Sequence, residues 1–160
     1  MTDAPLPPSA ARVQAAAERL GLAIAVREMP GSTRTAEEAA AACGCDVAQI
    51  VKSLVFAGRD SGRPYLLLVS GKNRVDEARV AAVVGEPLTR PNADAVRAWT
   101  GYAIGGIPPF GHDAKLPTFV DEDLLAYEVV WAAAGTPFAV FSVAPHALAQ
   151  AVGGRVIAIA

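Results

Sequence analysis

Residues 49–58, QIVKSLVFAG, form an apolar run with one charge inside it. In an extended chain successive side chains point to opposite faces. Ile50, Lys52, Leu54 and Phe56 then share one face, and Val51, Ser53 and Val55 share the other. Both faces are mostly apolar, so the run reads as a central strand. A central strand must be covered on both sides, which favours helices packed around a sheet. Lys52 is the misfit, because lysine is rarely buried without a partner. Either its stem snorkels to the end of the sheet or forms a structural ion pair, or its ammonium faces a cavity built for an anionic or strongly polar ligand.

The neighbouring segments supply the cover. RDSGRP is a turn and YLLLVSG a second apolar strand, so the two runs predict a hairpin. Ser9 is a candidate cap for a first helix in which Val13, Ala17 and Leu20 recur at helical spacing, with Gly21 marking its end. LAIAVREM reads as a strand. Thr35 and Glu38 fit a capping box, and Gly44 fits the stop of that second helix. Asp46 and Gln49 cap a short turn. Asn73 is a candidate cap for VDEARVAAVVG, and a fourth helix runs from Asn92 to Gly101. YAIGGIPPFGH reads as a strand entering an irregular loop. The last third alternates strands with an acidic turn, DEDLL, and a helix opened by Pro145, before a final strand, RVIAIA. Without strict βαβ alternation, the expectation is a single α/β domain: a bent, barrel-like mixed sheet flanked by helices, over residues 9–160, preceded by a tail at residues 1–8.

The second concentration of unusual residues is IGGIPPFGH, from Ile104 to His112. Gly105 and Gly106 permit close approach and backbone angles that side chains forbid. Pro108 and Pro109 fix φ, and Gly111 adds a second flexible point. Amides left out of a strand ladder in such a loop can bind a carbonyl oxygen, an oxyanion or a phosphate; a tight bend at a sheet corner uses the same residues. Lys72 and Arg74, after the second strand, are either phosphate contacts or a solvated charged loop; the glycine spacing there is not that of a P-loop. His112 is either a donor to substrate or incidental. Ser53 has no His–Asp signature near it, and no serine hydrolase is indicated. Asp121, Glu122 and Asp123 read as helix-start acids.

Composition narrows the function classes. The formal net charge of the 160-residue chain is −2, against the strongly basic surface of bulk nucleic-acid binders, though a protein gripping only a nucleic-acid end needs few cations. The two cysteines, Cys43 and Cys45, lie as C-x-C with no spaced partners among His112 and His146, so neither a zinc site nor an oxidising compartment is indicated. The N-terminus lacks a signal-peptide pattern, and the uncharged stretches are broken by turn residues. A cytoplasmic protein with no metal, no cofactor, no DNA and no membrane partner is the expectation.

STRTAEEAA, QIVKSLVF, LLLVSGKNRVD, GYAIGGIPPFGH and LPTFVDEDLL, in this order, resemble the YbaK/EbsC or ProX-type family. That family includes free-standing aminoacyl-tRNA deacylases and the editing insertion of bacterial prolyl-tRNA synthetases. The resemblance implies hydrolysis of mischarged aminoacyl-tRNA in trans, with water as nucleophile and no metal. The family's functional lysine falls on Lys52 and its G-x-x-x-P loop on Gly105 to Pro109, so Lys52, Gly105 and Gly106 are the implied catalytic set. Ile107, Pro108, Pro109, Gly111, His112, Ser53, Lys72 and Asn73 are the implied substrate contacts. The implied partners are the acceptor end of an aminoacyl-tRNA and, as a candidate, an aminoacyl-tRNA synthetase. Where the Cys-tRNA branch tends to have serine this chain has Pro108, and an acidic residue of that branch is replaced at about Val140. Alanine, serine or threonine is therefore expected ahead of cysteine. The alternative is a non-catalytic module binding tRNA 3′ ends or a nucleotide.

Overall fold

The structure is a computed structural model describing residues 5–160. Its elements, in chain order, are α1 (Pro8–Arg19), β1 (Arg27–Glu28), α2 (Ala36–Cys43), β2 (Ile50–Gly58), β3 (Pro64–Ser70), α3 (Glu77–Val84), β4 (Leu88–Thr89), α4 (Ala93–Thr100), β5 (Thr118–Asp121), β6 (Val130–Ala133), β7 (Ala139–Val143), α5 (Pro145–Ala151) and β8 (Arg155–Ile157). Short 3-10 turns cover Val47–Gln49 and Glu122–Ala126. No described helix is long and apolar enough to cross a membrane. The tail expected over residues 1–8 begins outside the described residues, and Pro8 already opens α1.

The β2–β3 hairpin is the centre of the sheet. The two strands pair antiparallel from Val51↔Ser70 to Ala57↔Pro64. Glu86 staples their turn: its carboxylate accepts from the Ser61 hydroxyl at 2.7 Å, the Ser61 amide at 2.9 Å and the Tyr65 hydroxyl at 2.7 Å. The sheet then extends both ways in the order β1-β7-β6-β2-β3-β5-β8, with β4 also on β2. The β2–β6, β3–β5 and β5–β8 pairs are parallel and the rest antiparallel, so the sheet is mixed, as the lack of βαβ alternation requires. Its hydrogen-bonded path is open, ending at β1 and β8.

Both faces of the hairpin are covered. One packs Val51, Leu66 and Leu68 with α1 residues Val13 and Ala17 and with Phe110, Phe141 and Leu148. The other packs Phe56, Leu67 and Val69 with Val80 of α3 and Ile159. α2 caps as its sequence dictates: the Thr35 hydroxyl accepts from the Glu38 amide, the Glu38 carboxylate accepts from the Thr35 amide, and Gly44 closes the helix at φ +67. Asn92 caps α4 through the Ala95 amide, and Pro145 sits in the first turn of α5.

Four local expectations are corrected. LAIAVREM is strand only at Arg27–Glu28. Gln14 of α1 occupies the backbone that a neighbouring strand would have paired: its side chain donates to the Ile24 carbonyl at 3.0 Å and accepts from the Val26 amide at 2.9 Å. Ser9 does not cap α1, which starts at Pro8 without a side-chain cap. Asp76, not Asn73, caps α3, accepting from the Arg79 amide at 3.1 Å. The segment from Tyr102 forms no strand, because the Thr100 hydroxyl takes the Tyr102 amide at 3.1 Å and a sequence of turns follows.

Candidate functional site

The ammonium of Lys52 forms no ion pair among the described residues. It is half-buried and donates to the backbone carbonyl of Asn73 at 2.5 Å. Asn73 is itself clamped, since its side-chain amide donates to Asp121 at 2.8 Å and to Asp123 at 2.7 Å. Asp121 is buried and also accepts from the Ser70 amide at 3.0 Å. The acids expected at a helix start therefore do more than cap the 3-10 turn: they fix the loop after β3, whose carbonyl orients Lys52. Burial lowers the Lys52 pKa from its ordinary 10.5; the carboxylates of Glu37 and Asp121 oppose that shift and the Arg74 guanidinium adds to it.

Two adjoining cavities share Lys52, Ser53, Leu54, Ile104 and Ile107 in their walls. The first, about 300 Å³, is closed by Gly105, by Thr33–Ala36 at the start of α2, and by Trp131, Ala132, Ala133 and Val140 of β6 and β7. The second, about 460 Å³, continues along β2 to Phe56 and is bordered by Arg74, Arg90 and Val96. Lys52 and the first glycine of the loop thus converge on one space.

The two glycines are not equivalent. Gly105 has φ +101, and a Cβ there would meet the Arg34 side chain, with Cγ at 2.8 Å. Among the described residues the amides of Gly105 and Ile107 have no intramolecular acceptor. Gly106 is buried and spent on structure. Its amide donates to the Ala103 carbonyl at 3.1 Å, and its carbonyl accepts from the Gly135 amide at 2.8 Å. A Cβ on Gly106 would lie 2.8 Å from the Thr136 nitrogen and 2.9 Å from the Gly135 carbonyl carbon, so only glycine lets the loop dock on the β6–β7 turn. Of the three successive amides, that of Gly106 is therefore taken within the loop, while those of Gly105 and Ile107 are not.

The remaining expected contacts are divided. Ser53 and Ile107 line both cavities. Pro109, Gly111 and His112 line a separate cleft of about 930 Å³, with Arg63, Lys115 and Gln150. The His112 ring donates to the Pro108 carbonyl at 2.7 Å, and burial lowers its pKa from 6.5 against the opposing effects of that bond and of Asp113. Pro108 is buried, Lys72 is exposed away from both small cavities, and Asn73 reaches the site through Lys52. Arg34, Trp131 and Arg90 were not singled out by the sequence. Each arrives from an element distant in the chain and carries no local pattern.

Comparison with known proteins follows the same lines. The model of the aminoacyl-tRNA editing domain matches residues 31–151. A solved structure described as "a putative trans-editing enzyme for prolyl tRNA synthetase" is 52% identical with a TM-score of 0.91, over 97% of this chain and 98% of that one. An uncharacterized protein of Bacillus subtilis is 28% identical over 78% of this chain and 79% of its own length. A proline–tRNA ligase of Limosilactobacillus fermentum is 30% identical over 59% of this chain but only 17% of the ligase, so the likeness concerns a small part of that protein. The matched span contains the Lys52 cavities, the Gly105 loop and the Asn73 clamp, and the chain belongs to the aminoacyl-tRNA editing domain family.

Proposed function

We propose that this protein hydrolyses, in trans, the ester linking a small amino acid to the 3′-terminal ribose of a mischarged tRNA. The reading is supported above all by one observation: Lys52, Gly105 and Ile107 line the same cavity, and the amides of Gly105 and Ile107 have no intramolecular acceptor among the described residues. Water attacks the ester carbonyl carbon and negative charge develops on the carbonyl oxygen; collapse of this intermediate breaks the acyl–oxygen bond, releasing the free amino acid and the ribose hydroxyl, which takes up the proton lost by water. The loop amides donate to that carbonyl oxygen; loss of one such donor typically costs about 10²–10³ in rate. The Lys52 ammonium, already oriented by the Asn73 carbonyl, anchors a phosphate or ester oxygen of the terminal nucleotide. Holding ester and water in one pose supplies much of the remaining acceleration.

The cavity wall also bears on the amino acid. The Val140 side of the space is apolar, shared with Ala132 and Ala133. The Thr33 hydroxyl is already bonded to the Pro137 carbonyl at 3.1 Å and that of Thr35 to Glu38. A substrate methyl is matched there; Ser53, which lines the same cavity, carries a buried hydroxyl with no hydrogen-bond partner among the described residues. Alanine is the member of the alanine, serine and threonine set that this apolar side fits, and the Ser53 hydroxyl is the group on which serine or threonine would bear. An apolar pocket of this kind discriminates by one methylene or hydroxyl only about 10–200-fold, so further selectivity rests on the tRNA or a synthetase partner. Several relatives are prolyl-tRNA synthetases or are described as serving one, which makes proline tRNA the first to test.

The test is a panel of tRNAs charged with Ala, Ser, Thr, Cys or Pro, incubated with the wild type and with Lys52→Ala. Release of alanine from proline tRNA, lost in Lys52→Ala, is the expected result. Binding of the same tRNAs without release of any amino acid would replace this reading by a non-catalytic binding module.

A further inference from the structure

The central strand has a gap in its pairing, and the gap lies in the cavity wall. Hydrogen bonds at both ends of the hairpin fix which backbone groups point where. The Gly58 amide donates to the Arg63 carbonyl at 2.9 Å, and the Gly71 amide to the Ile50 carbonyl at 2.8 Å. With a continuous register between them, the even-numbered residues of β2 direct N–H and C=O toward β3. The odd-numbered residues direct theirs the other way. Val51 meets β6, where it pairs with Ala132; Ala57 meets β4, where it pairs with Thr89; and the Arg59 amide donates to the Pro87 carbonyl at 2.8 Å. Between these partners, Ser53 and Val55 face no strand among the described residues. Both are partly exposed, and both line the 460 Å³ cavity.

Open strand edges are ordinarily covered or blunted. This one is internal and only two outward-facing residues long. With about 3.4 Å of rise per residue, an added peptide strand would collide with β6 or β4 after one or two bonds. The gap suits a small planar ligand instead. The Ser53 carbonyl and the Val55 amide, from residues i and i+2 on one edge, offer an acceptor beside a donor. That pattern complements the exocyclic amine and N1 of a 6-aminopurine. Among the described residues the same cavity is lined by Lys52, Arg74 and Arg90 and by no carboxylate; Arg90 pairs with Glu77 outside that lining, which leaves Lys52 and Arg74 for the phosphates attached to such a base. Ile104, about half exposed, lies in the same wall beside the edge.

We propose that this open edge is a base-reading subsite for the terminal adenosine, in which the Ser53 carbonyl accepts from the adenine amine and the Val55 amide donates to N1. The inference rests on the editing reading for what enters the cavity, but it concerns backbone groups that reading does not use.

The experiment uses alanine-charged acceptor-stem hairpins of proline tRNA whose last nucleotide is adenosine, 7-deazaadenosine, purine riboside or inosine. Deacylation and, separately, binding of the uncharged hairpins by fluorescence anisotropy are measured with the wild-type protein. 7-Deazaadenosine keeps the amine and N1 and should match adenosine. Purine riboside lacks the amine and should lose about 10-fold; inosine presents the reversed pattern and should lose about 100-fold, since a site built to hydrogen-bond leaves its groups unpaired with the wrong partner. Equal affinity and turnover for all four ends, or a loss with 7-deazaadenosine as large as with inosine, overturns the base subsite while leaving the deacylase reading standing. Discrimination in binding without deacylation of any hairpin upholds the subsite and removes the deacylase reading. A Val55→Pro variant, which deletes an amide outside the β3 ladder, should narrow the adenosine–purine difference in binding if it remains folded.

Discussion

The loop from Ile104 to His112 has two limbs, and they open on different spaces. The glycine limb, Ile104–Ile107, borders the small cavities that hold Lys52. The proline limb, Pro109–His112, borders the 930 Å³ cleft on the far side, where the nearby cations are Arg63 and Lys115. The larger space has the greater volume, but its cations, Arg63 and Lys115, are exposed and their side chains make no hydrogen bond or ion pair among the described residues. The smaller spaces combine a half-buried cation, fixed through Asn73 and two carboxylates, with unpaired backbone donors. Oriented charge and unspent amides, more than volume, mark a site for a developing anion.

The contrast breaks most directly at Lys52. Its ammonium should contribute as a charge-assisted hydrogen bond, about 1.5–3 kcal/mol, so Lys52→Ala should lose about 10- to 100-fold in kcat/KM for alanyl-tRNA. Lys52→Arg keeps the charge but not the compact point donor that fits the Asn73 carbonyl, and should recover only part. Because burial lowers the pKa of this lysine, wild-type affinity for a non-hydrolysable substrate analogue should begin to fall below pH 10.5, earlier than for a free lysine, and that fall should be absent in Lys52→Arg. A Lys52→Ala variant as active as wild type would remove the small cavities from contention.

Next in size is the difference between the two glycines. Gly106→Ala drives a methyl into the Gly135–Thr136 backbone and should cost about 1–3 kcal/mol of stability, read as a lowered Tm. Gly105→Ala meets a flexible Arg34 chain that can move aside, so its cost comes from the positive φ and from crowding the cavity mouth. Gly105→Ala should therefore lower turnover more than its change in stability explains. Equal Tm for wild type and Gly106→Ala would show that the docking of the loop is looser than described.

The proline limb should answer to pH in stability, not in turnover. His112 is held neutral: the folded protein lowers its pKa, so below pH 6.5 the unfolded chain takes up a proton more readily. Stability then rises with pH through the window between the lowered value and 6.5, and falls on acidification. His112→Ala should lose about 0.5–1.5 kcal/mol at neutral pH through the missing bond to Pro108 and should flatten that acid limb. Urea melts of the two proteins between pH 5 and 7.5 would show it.

What the sequence made legible was local. Caps such as Thr35–Glu38 and Asn92, the Gly44 stop and the hairpin turn each depend on residues within four or so of one another, and each formed as read. Lys52 stood out because a charge in an apolar run is anomalous without any partner known. The elements misjudged depend on contacts from afar. Gln14 claims the Ile24 and Val26 backbone from ten and twelve residues away, and Asn73 is recruited by Asp121 from 48 away, so neither the shortened β1 nor the clamp has a local signature. Likewise the glycine–proline motif shows a constrained loop but not that one glycine faces a cavity and its neighbour a turn 29 residues on. The open edge at Ser53 and Val55 exists only because β6 and β4 meet β2 at its two ends.

The smallest expected effect tests the larger cleft itself. Arg63 and Lys115 are exposed, and neither takes part in an ion pair found among the described residues. Substitutions of such surface groups usually change free energies by under about 0.5 kcal/mol, a factor of about two. The double variant Arg63→Ala, Lys115→Ala should therefore keep kcat/KM for alanyl-tRNA within about twofold of wild type, and the slope of log affinity against log salt should be unchanged. Were the cleft instead the path of the acceptor stem, two lost phosphate contacts would flatten that slope by nearly two and weaken binding at low salt. That outcome would reassign the proline limb from holding the loop to holding the tRNA body, leaving the glycine limb to its reactive end.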